Sequence, residues 1–242
     1  MEIVPSRVFN LLYIYIDIVW LVFFLIILIW KKRYIAIIVG IIGALIYFLV
    51  DYGIFYLLLG TRIVTGVNTA ALLLWLSTSY GLTNFAWIWL WLDRDGYALE
   101  WSLLIISGWF TTALLSQNFG SNFKLITIQR GTSSYHGVMA LFLFIGYSIL
   151  IIYNLKNKNK SSVKSLGKSS GKINILWILA IGILVQFSWE AVLLITGIRA
   201  TSIMPLIVNS LLETNMGLPF IFLIHRAIMS RYNENLSKVS KD

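Results

Sequence analysis

Long apolar runs separated by short polar stretches set the pattern of this chain. Seven of them lie near 10–30, 34–59, 67–91, 100–117, 135–154, 173–196 and 203–226. Each reaches or approaches the roughly 20 helical residues needed to cross a hydrocarbon core. An open strand would leave its backbone unsatisfied in lipid, so every run is predicted as a helix. The expectation is an all-α polytopic membrane protein, a single membrane domain over 1–242 with seven transmembrane helices. The first run lacks the basic start and small-residue cleavage site of a removable signal peptide.

A second periodicity is superimposed on the first. Asp51 is followed by Gly60-Thr61-Arg62, and Glu190 by Gly197-Ile198-Arg199. Thr78-Ser79-Tyr80-Gly81-Leu82 finds its counterpart in Thr214-Asn215-Met216-Gly217-Leu218 at nearly the same offset. This predicts a parallel 3+1+3 pseudo-repeat. The first three-helix unit is 10–91, the linking helix 100–117, and the second unit 135–226. Residues 118–134 are an outer loop, 156–172 a cytoplasmic linker and 227–242 a cytoplasmic tail. Repeats of this kind place functional sites at their interface.

Composition agrees with the pattern. Hydrophobic residues make up 59% and charged residues 12%, about half the charged share of a soluble domain, and the mean hydropathy is +0.83. A water-soluble enzyme, a disordered chain and a nucleic-acid-binding domain are excluded. The net charge of +9 resides between the runs and fixes orientation. Arg7, Arg62, Lys124, Arg130 and Arg199 fall on one side, and the rest of the 19 basic residues on the other. The positive-inside rule then puts the N-terminus outside (or lumenal) and the C-terminus in the cytoplasm. The absence of cysteine excludes disulfides, thiolate chemistry and Cys-based metal sites.

The 10 acidic residues carry the candidate chemistry. Glu2, Glu234 and Asp242 lie at the ends, and Asp93, Asp95 and Glu100 in the loop after the third run. Asp17, Asp51, Glu190 and Glu213 lie inside apolar runs, all in the outer half of the predicted bundle. A carboxylate at membrane depth is costly and is read as functional. No Lys or Arg lies well inside a run, so these carboxyls are expected to be held protonated by burial. A protonated carboxyl in an aromatic, water-poor cavity suits carbocation chemistry on a lipid-soluble substrate. Asp51, Glu190 and Glu213 are the candidate catalytic groups. Tyr47, Tyr52, Phe55, Trp75, Phe187, Trp189, Asn84 and Asn215 are the candidate substrate-binding residues. Asp17 is read as an interfacial hydrogen-bonding group, and Glu190 can also pair with Arg199 or Arg62 at the rim. No metal or cofactor is expected. There is no Asp cluster for magnesium, no lysine on the last helix for a Schiff base, and His136 and His225 lie near opposite faces.

Helix 2 reads Leu49-Val50-Asp51-Tyr52-Gly53-Ile54-Phe55-Tyr56. This resembles the Trp-Glu-Phe-x-Tyr motif in helix 2 of the small integral-membrane terpene cyclases of fungal meroterpenoid and indole-diterpene pathways, the pyripyropene cyclase family. Those proteins are similar in length, have seven predicted helices, and carry essential acids on an early helix and on the last one. The resemblance implies that Asp51 and Glu213 occupy those two positions. It implies a metal-free, non-redox cyclisation of a polyprenyl chain, often bearing a terminal epoxide. The partners are then a lipid-soluble isoprenoid substrate and membrane lipid. The alternative from helix arrangement alone is a small proton-coupled or facilitative transporter.

Overall fold

The computed structural model describes residues 6–131, 135–158, 173–199 and 203–239. Most of the 156–172 linker and the last residues of the tail lie outside them. Among the described residues the chain forms three short strands and eight α-helices: β1 (Ser6–Asn10), α1 (Leu11–Trp30), α2 (Tyr34–Phe48), β2 (Arg62–Thr65), α3 (Thr69–Leu92), α4 (Ala98–Phe119), β3 (Leu125–Arg130), α5 (His136–Lys158), α6 (Ile175–Ile195), α7 (Ile203–Leu212) and α8 (Leu218–Val239). A π-helical segment, Leu49–Leu58, continues α2. Among the described residues, five helices are long and apolar enough to cross a membrane: α1, α2 with its π segment, α4, α5 and α6. A multi-pass membrane protein requires such helices, and their outer faces fit it. Val19, Ile38, Leu141 and Phe144 are all more than half exposed. A continuous apolar exterior of this extent belongs against lipid.

Helix starts follow from asparagines. Asn10, Asn68 and Asn174 each accept a hydrogen bond from the backbone N–H three residues on, at 3.2, 3.1 and 3.0 Å. Each satisfies one of the orphan donors of a first turn. The fourth run is longer than the sequence pattern indicates, since α4 reaches both Ala98 and Phe119.

The last run departs from expectation in kind. The sequence predicts one helix over 203–226, and the structure has two, α7 and α8, separated by turns over 213–217. Pro219 is the cause. It sits in the first turn of α8, has no N–H to donate, and disfavours helical backbone before it. Irregular backbone within an apolar run is tolerated where it is buried in protein or lines a cavity, and Glu213, Thr214 and Asn215 lie in this break.

α3 is the centre of the bundle. Leu72, Leu73, Ala86, Ile88 and Leu90 are fully buried. Its contact with α2 depends on small residues. A Cβ added to Gly81 would lie 2.4 Å from the Ala44 Cα, and one on Gly43 would lie 2.3 Å from the Phe85 ring. Small residues facing each other let helix backbones approach closely in a membrane protein. Tryptophans fill the space between α3, α4 and α6: Trp109 meets Trp87 and Trp189 edge to face at 5.9 and 4.9 Å.

The segment read as an outer loop is partly a strand. β3 pairs antiparallel with β1 on one side and β2 on the other, giving the order β1-β3-β2. The sheet lies across one end of the bundle. Val8 donates to the Ile198 carbonyl at 2.9 Å, and an isolated bridge joins Arg7 to Arg199. The Gly60–Arg62 and Gly197–Arg199 segments thus flank opposite edges of one sheet. Both glycines adopt left-handed backbone, with φ of 61° and 69°, which reverses the chain where each helix ends.

Candidate functional site

The pleat of the sheet decides which side chains meet the bundle. Alternate residues of a strand point to opposite faces. In β3 the buried Ile126 and Ile128 share a face with Arg130. In β1 the buried Arg7 and Phe9 share a face while Val8 is exposed. In β2 Arg62 is buried and Ile63 exposed. Arg7, Arg62 and Arg130 therefore all point down onto the helix ends, joined by the buried Arg199.

Two carboxylates receive them. Arg62 donates from Nε to Asp51 Oδ1 at 2.7 Å, with Nη2 at 2.6 Å from the same oxygen. Arg130 Nη2 reaches that oxygen at 3.3 Å. Asp51 sits in the π-helical segment, and π turns within α-helices recur at functional sites. Glu190 on α6 lies 2.8 Å from Arg199 Nη1 and 3.6 Å from Arg7 Nη2, and accepts from Asn209 Nδ2 at 3.1 Å. Of the two rim partners expected for Glu190, Arg199 is present, while Arg62 belongs to Asp51. Glu213, in the break before α8, accepts from Gln186 Nε2 at 2.9 Å. It has no arginine within ion-pair distance among the described residues.

Asp51 thus has basic partners where the sequence predicts none, and Glu190 gains Arg7 besides the rim partner Arg199. The arginines come from the strands and their edges, not from the helices. Each guanidinium supplies the opposite charge that a buried carboxylate needs to offset its lost hydration. Arg7, Arg62 and Arg130 keep their charge at neutral pH. Burial pulls Arg7 and Arg62 down only to about 10. For Arg130, burial disfavours the charge, but Asp51 and Glu213 outweigh it and raise it above the ordinary arginine value. Arg62 also stacks over the Phe55 ring at 4.3 Å.

Gln186 organises the third carboxyl. Its Oε1 accepts from Thr214 Oγ1 at 2.6 Å and from the Tyr80 hydroxyl. That turns Nε2 toward Glu213 and, at 3.5 Å, Glu190. The amide therefore ties the break before α8 to α3 and α6.

A cavity opens beneath the sheet. It is bounded by Arg7, Arg130, Asp51 and Glu213, with Tyr47, Phe55 and Tyr80 among its aromatic walls, and leaves room for solvent over about 70 Å³. α2 and its π segment pack on α3, while α5 packs on α6, α7 and α8. The cavity lies between these two groups. No protein-family model matches the chain, and no curated protein or solved structure matches it significantly.

Of the residues singled out in the sequence, Asp51, Glu213, Tyr47 and Phe55 line this cavity. Glu190 lies behind the wall, linked through Gln186. Trp189 is buried against Tyr80 and Trp109, with Arg7 over its ring at 5.9 Å. Tyr52 stacks between Phe48 and Tyr56. Trp75 donates to Asp17 at 2.9 Å, away from the cavity. Phe187 is 45% exposed on the outer face of α6. Asn84 is buried in α3, and Asn215 accepts from the Tyr147 hydroxyl at 3.1 Å and donates to the Ser210 carbonyl at 3.1 Å. Sequence reasoning missed Arg7, Arg130 and Gln186. The alternation Leu125-Ile-Thr-Ile-Gln-Arg130 was a signal for a half-buried strand ending in arginine, and Gln186 stands one helical turn before Glu190 in an apolar run.

Proposed function

We propose that this protein is an integral-membrane enzyme that carries out acid-initiated, metal-free cyclisation of a lipid-soluble polyprenyl substrate in the sheet-capped cavity. The observation that carries the reading is Glu213. It is the carboxyl of the network without an arginine partner, it lines an aromatic-walled cavity, and Gln186 fixes its orientation. Glu213 is the proton donor. Its proton goes to the terminal alkene carbon or epoxide oxygen of the substrate. The electron pair of the next double bond closes the ring, and the final cation returns a proton to the Glu213 carboxylate. The product is an isomer of the substrate, and no oxidant or reductant is consumed. Asp51, ion-paired with Arg62 and Arg130, supplies a fixed negative charge facing the developing cation. Tyr47, Phe55 and Tyr80 offer ring faces to the same cation.

In this reading the chain crosses the membrane seven times, with α3 and the α7–α8 pair joining the five apolar helices. The 3+1+3 pseudo-repeat is supported by the two Gly-x-Arg segments, each of which returns an arginine to an acid of the preceding helix. The sheet-capped end faces outward. Arg7, Arg62, Arg130 and Arg199 are buried against acids there, and Lys124 is that side's remaining basic residue.

The test is conversion of epoxy-polyprenyl and polyprenyl substrates by purified protein. Wild type yields a product of unchanged mass and altered retention, and Glu213→Gln yields none while keeping its fold. The break before α8 also favours a second reading, since interrupted helices at membrane depth mark transporter binding sites. Proton-driven uptake into proteoliposomes by wild type, with no conversion of any prenyl substrate, would select it.

A further inference from the structure

The cavity wall holds more polar hydrogen-bonding capacity than its ion pairs use. Arg7 Nε, Arg130 Nε and Ser77 Oγ are buried atoms without a partner among the described residues, and all three belong to residues lining the cavity. Unpartnered donors in a buried site are costly, so three of them on residues around one cavity point to a ligand acceptor. The charge balance points the same way. Arg7, Arg62, Arg130 and Arg199 face Asp51, Glu190 and Glu213. One positive charge is left over when Glu213 is ionised, and two when it holds a proton. Water can satisfy the donors but cannot neutralise that surplus. Val50, Leu76 and Met139, with Phe55 beneath Arg62, make the rest of the wall apolar.

We infer that the cavity binds an amphipathic anion: an oxyanion head, carboxylate or phosphate, held between Arg7 and Arg130 near Ser77, with an apolar body against Val50, Phe55, Leu76 and Met139. Guanidinium groups recognise both heads through charge-assisted hydrogen bonds. The inference rests on the proposed function only in taking this cavity as the substrate site. It narrows that substrate to one whose isoprenoid body carries an acidic group, anchored at the sheet while its far end reaches Glu213.

The test uses the full-length protein in nanodiscs of neutral phosphatidylcholine, with octanoate, octyl phosphate, octanol, octylamine and acetate as probes. Binding is read by titration calorimetry and tryptophan fluorescence. At least one octyl anion binds about tenfold or more tighter than octanol and octylamine. The tighter anion names the head, and weak acetate binding shows that the apolar body is needed. Arg130→Gln removes the preference for the anion while leaving octanol unchanged. Ser77→Ala, a smaller change at an unpaired hydroxyl, weakens the anion about threefold. Octanol or octylamine binding as tightly as both anions overturns the inference, whatever the variants do. So does anion binding unaltered in Arg7→Gln and Arg130→Gln proteins that melt like wild type. Loss of anion preference with cyclisation intact removes this inference alone. Anion preference retained with Glu213→Gln still converting substrate removes the acid role of Glu213 alone.

Discussion

The ion pair between Asp51 and Arg62 gives the sharpest test of how the sheet is fastened to the helices. Its side chains are 8% and 0% exposed, and its closest contact is 2.6 Å. Removing one partner of a buried pair leaves an uncompensated charge and costs about 3–5 kcal/mol, whereas replacing both by apolar groups of similar volume costs little. The two single variants should differ. In Arg62→Met the Asp51 carboxylate keeps Arg130 at 3.3 Å, which places the loss near the lower figure. In Asp51→Leu two neighbouring guanidinium groups lose their shared acceptor, which places the loss near the upper one. On the scale of about 2–4 °C per kcal/mol for a chain of this size, Arg62→Met melts roughly 6–12 °C below wild type and Asp51→Leu roughly 10–20 °C below. The double variant melts well above the sum of the two losses, with a coupling of at least about 2 kcal/mol. Tryptophan fluorescence in detergent follows the melt, and reversible SDS titration provides the free energies. Single variants within a degree of wild type, or Arg62→Met worse than Asp51→Leu, would refute the description of this pair.

Other substitutions probe the remaining supports of the site. Gly81→Val drives a side chain into the Ala44 backbone and separates α2 from α3; the melting temperature falls by more than about 5 °C, while Gly96→Ala, in open space, changes it little. Gln186→Leu strands Tyr80, Thr214 and Glu213 without their shared partner, costing about 2–4 kcal/mol; turnover per folded molecule falls as well, since Glu213 loses its orientation, and a purely structural role would leave that ratio unchanged. Asn68→Ala removes an exposed cap and costs about 1 kcal/mol, whereas Asn10→Ala also loses the 2.7 Å bond to the Ser116 carbonyl and costs more in the same unfolding titration.

The membrane character was legible because apolar runs leave few alternatives in lipid, and five of the predicted runs appear as long apolar helices. Asp51 and Glu213 were legible for a related reason: a carboxyl inside such a run is rare enough to notice. The split of 203–226 is not visible in the hydropathy pattern, although Pro219 holds the information. Hydropathy averages over a window and does not register a missing N–H. The arginine cap was hidden more deeply. Its strands are four to six residues long and come from three distant parts of the chain. Nothing local to Asp51 says that Arg130 reaches it. Long-range pairing of short strands is a tertiary outcome, set by the alternation of β3 and by the left-handed turns at Gly60 and Gly197. Phe187 shows the converse error, since proximity in sequence to Glu190 did not put its ring on the same face of α6.

The central claim is that Glu213 transfers a proton to a lipid-soluble substrate in the cavity beneath the sheet. Turnover of a polyprenyl alkene in D2O tests it most directly. Wild-type protein is expected to give a cyclised isomer carrying one carbon-bound deuterium, with no product from Glu213→Gln. An unconverted substrate with wild-type protein, or the same deuterated product from Glu213→Gln, would contradict it.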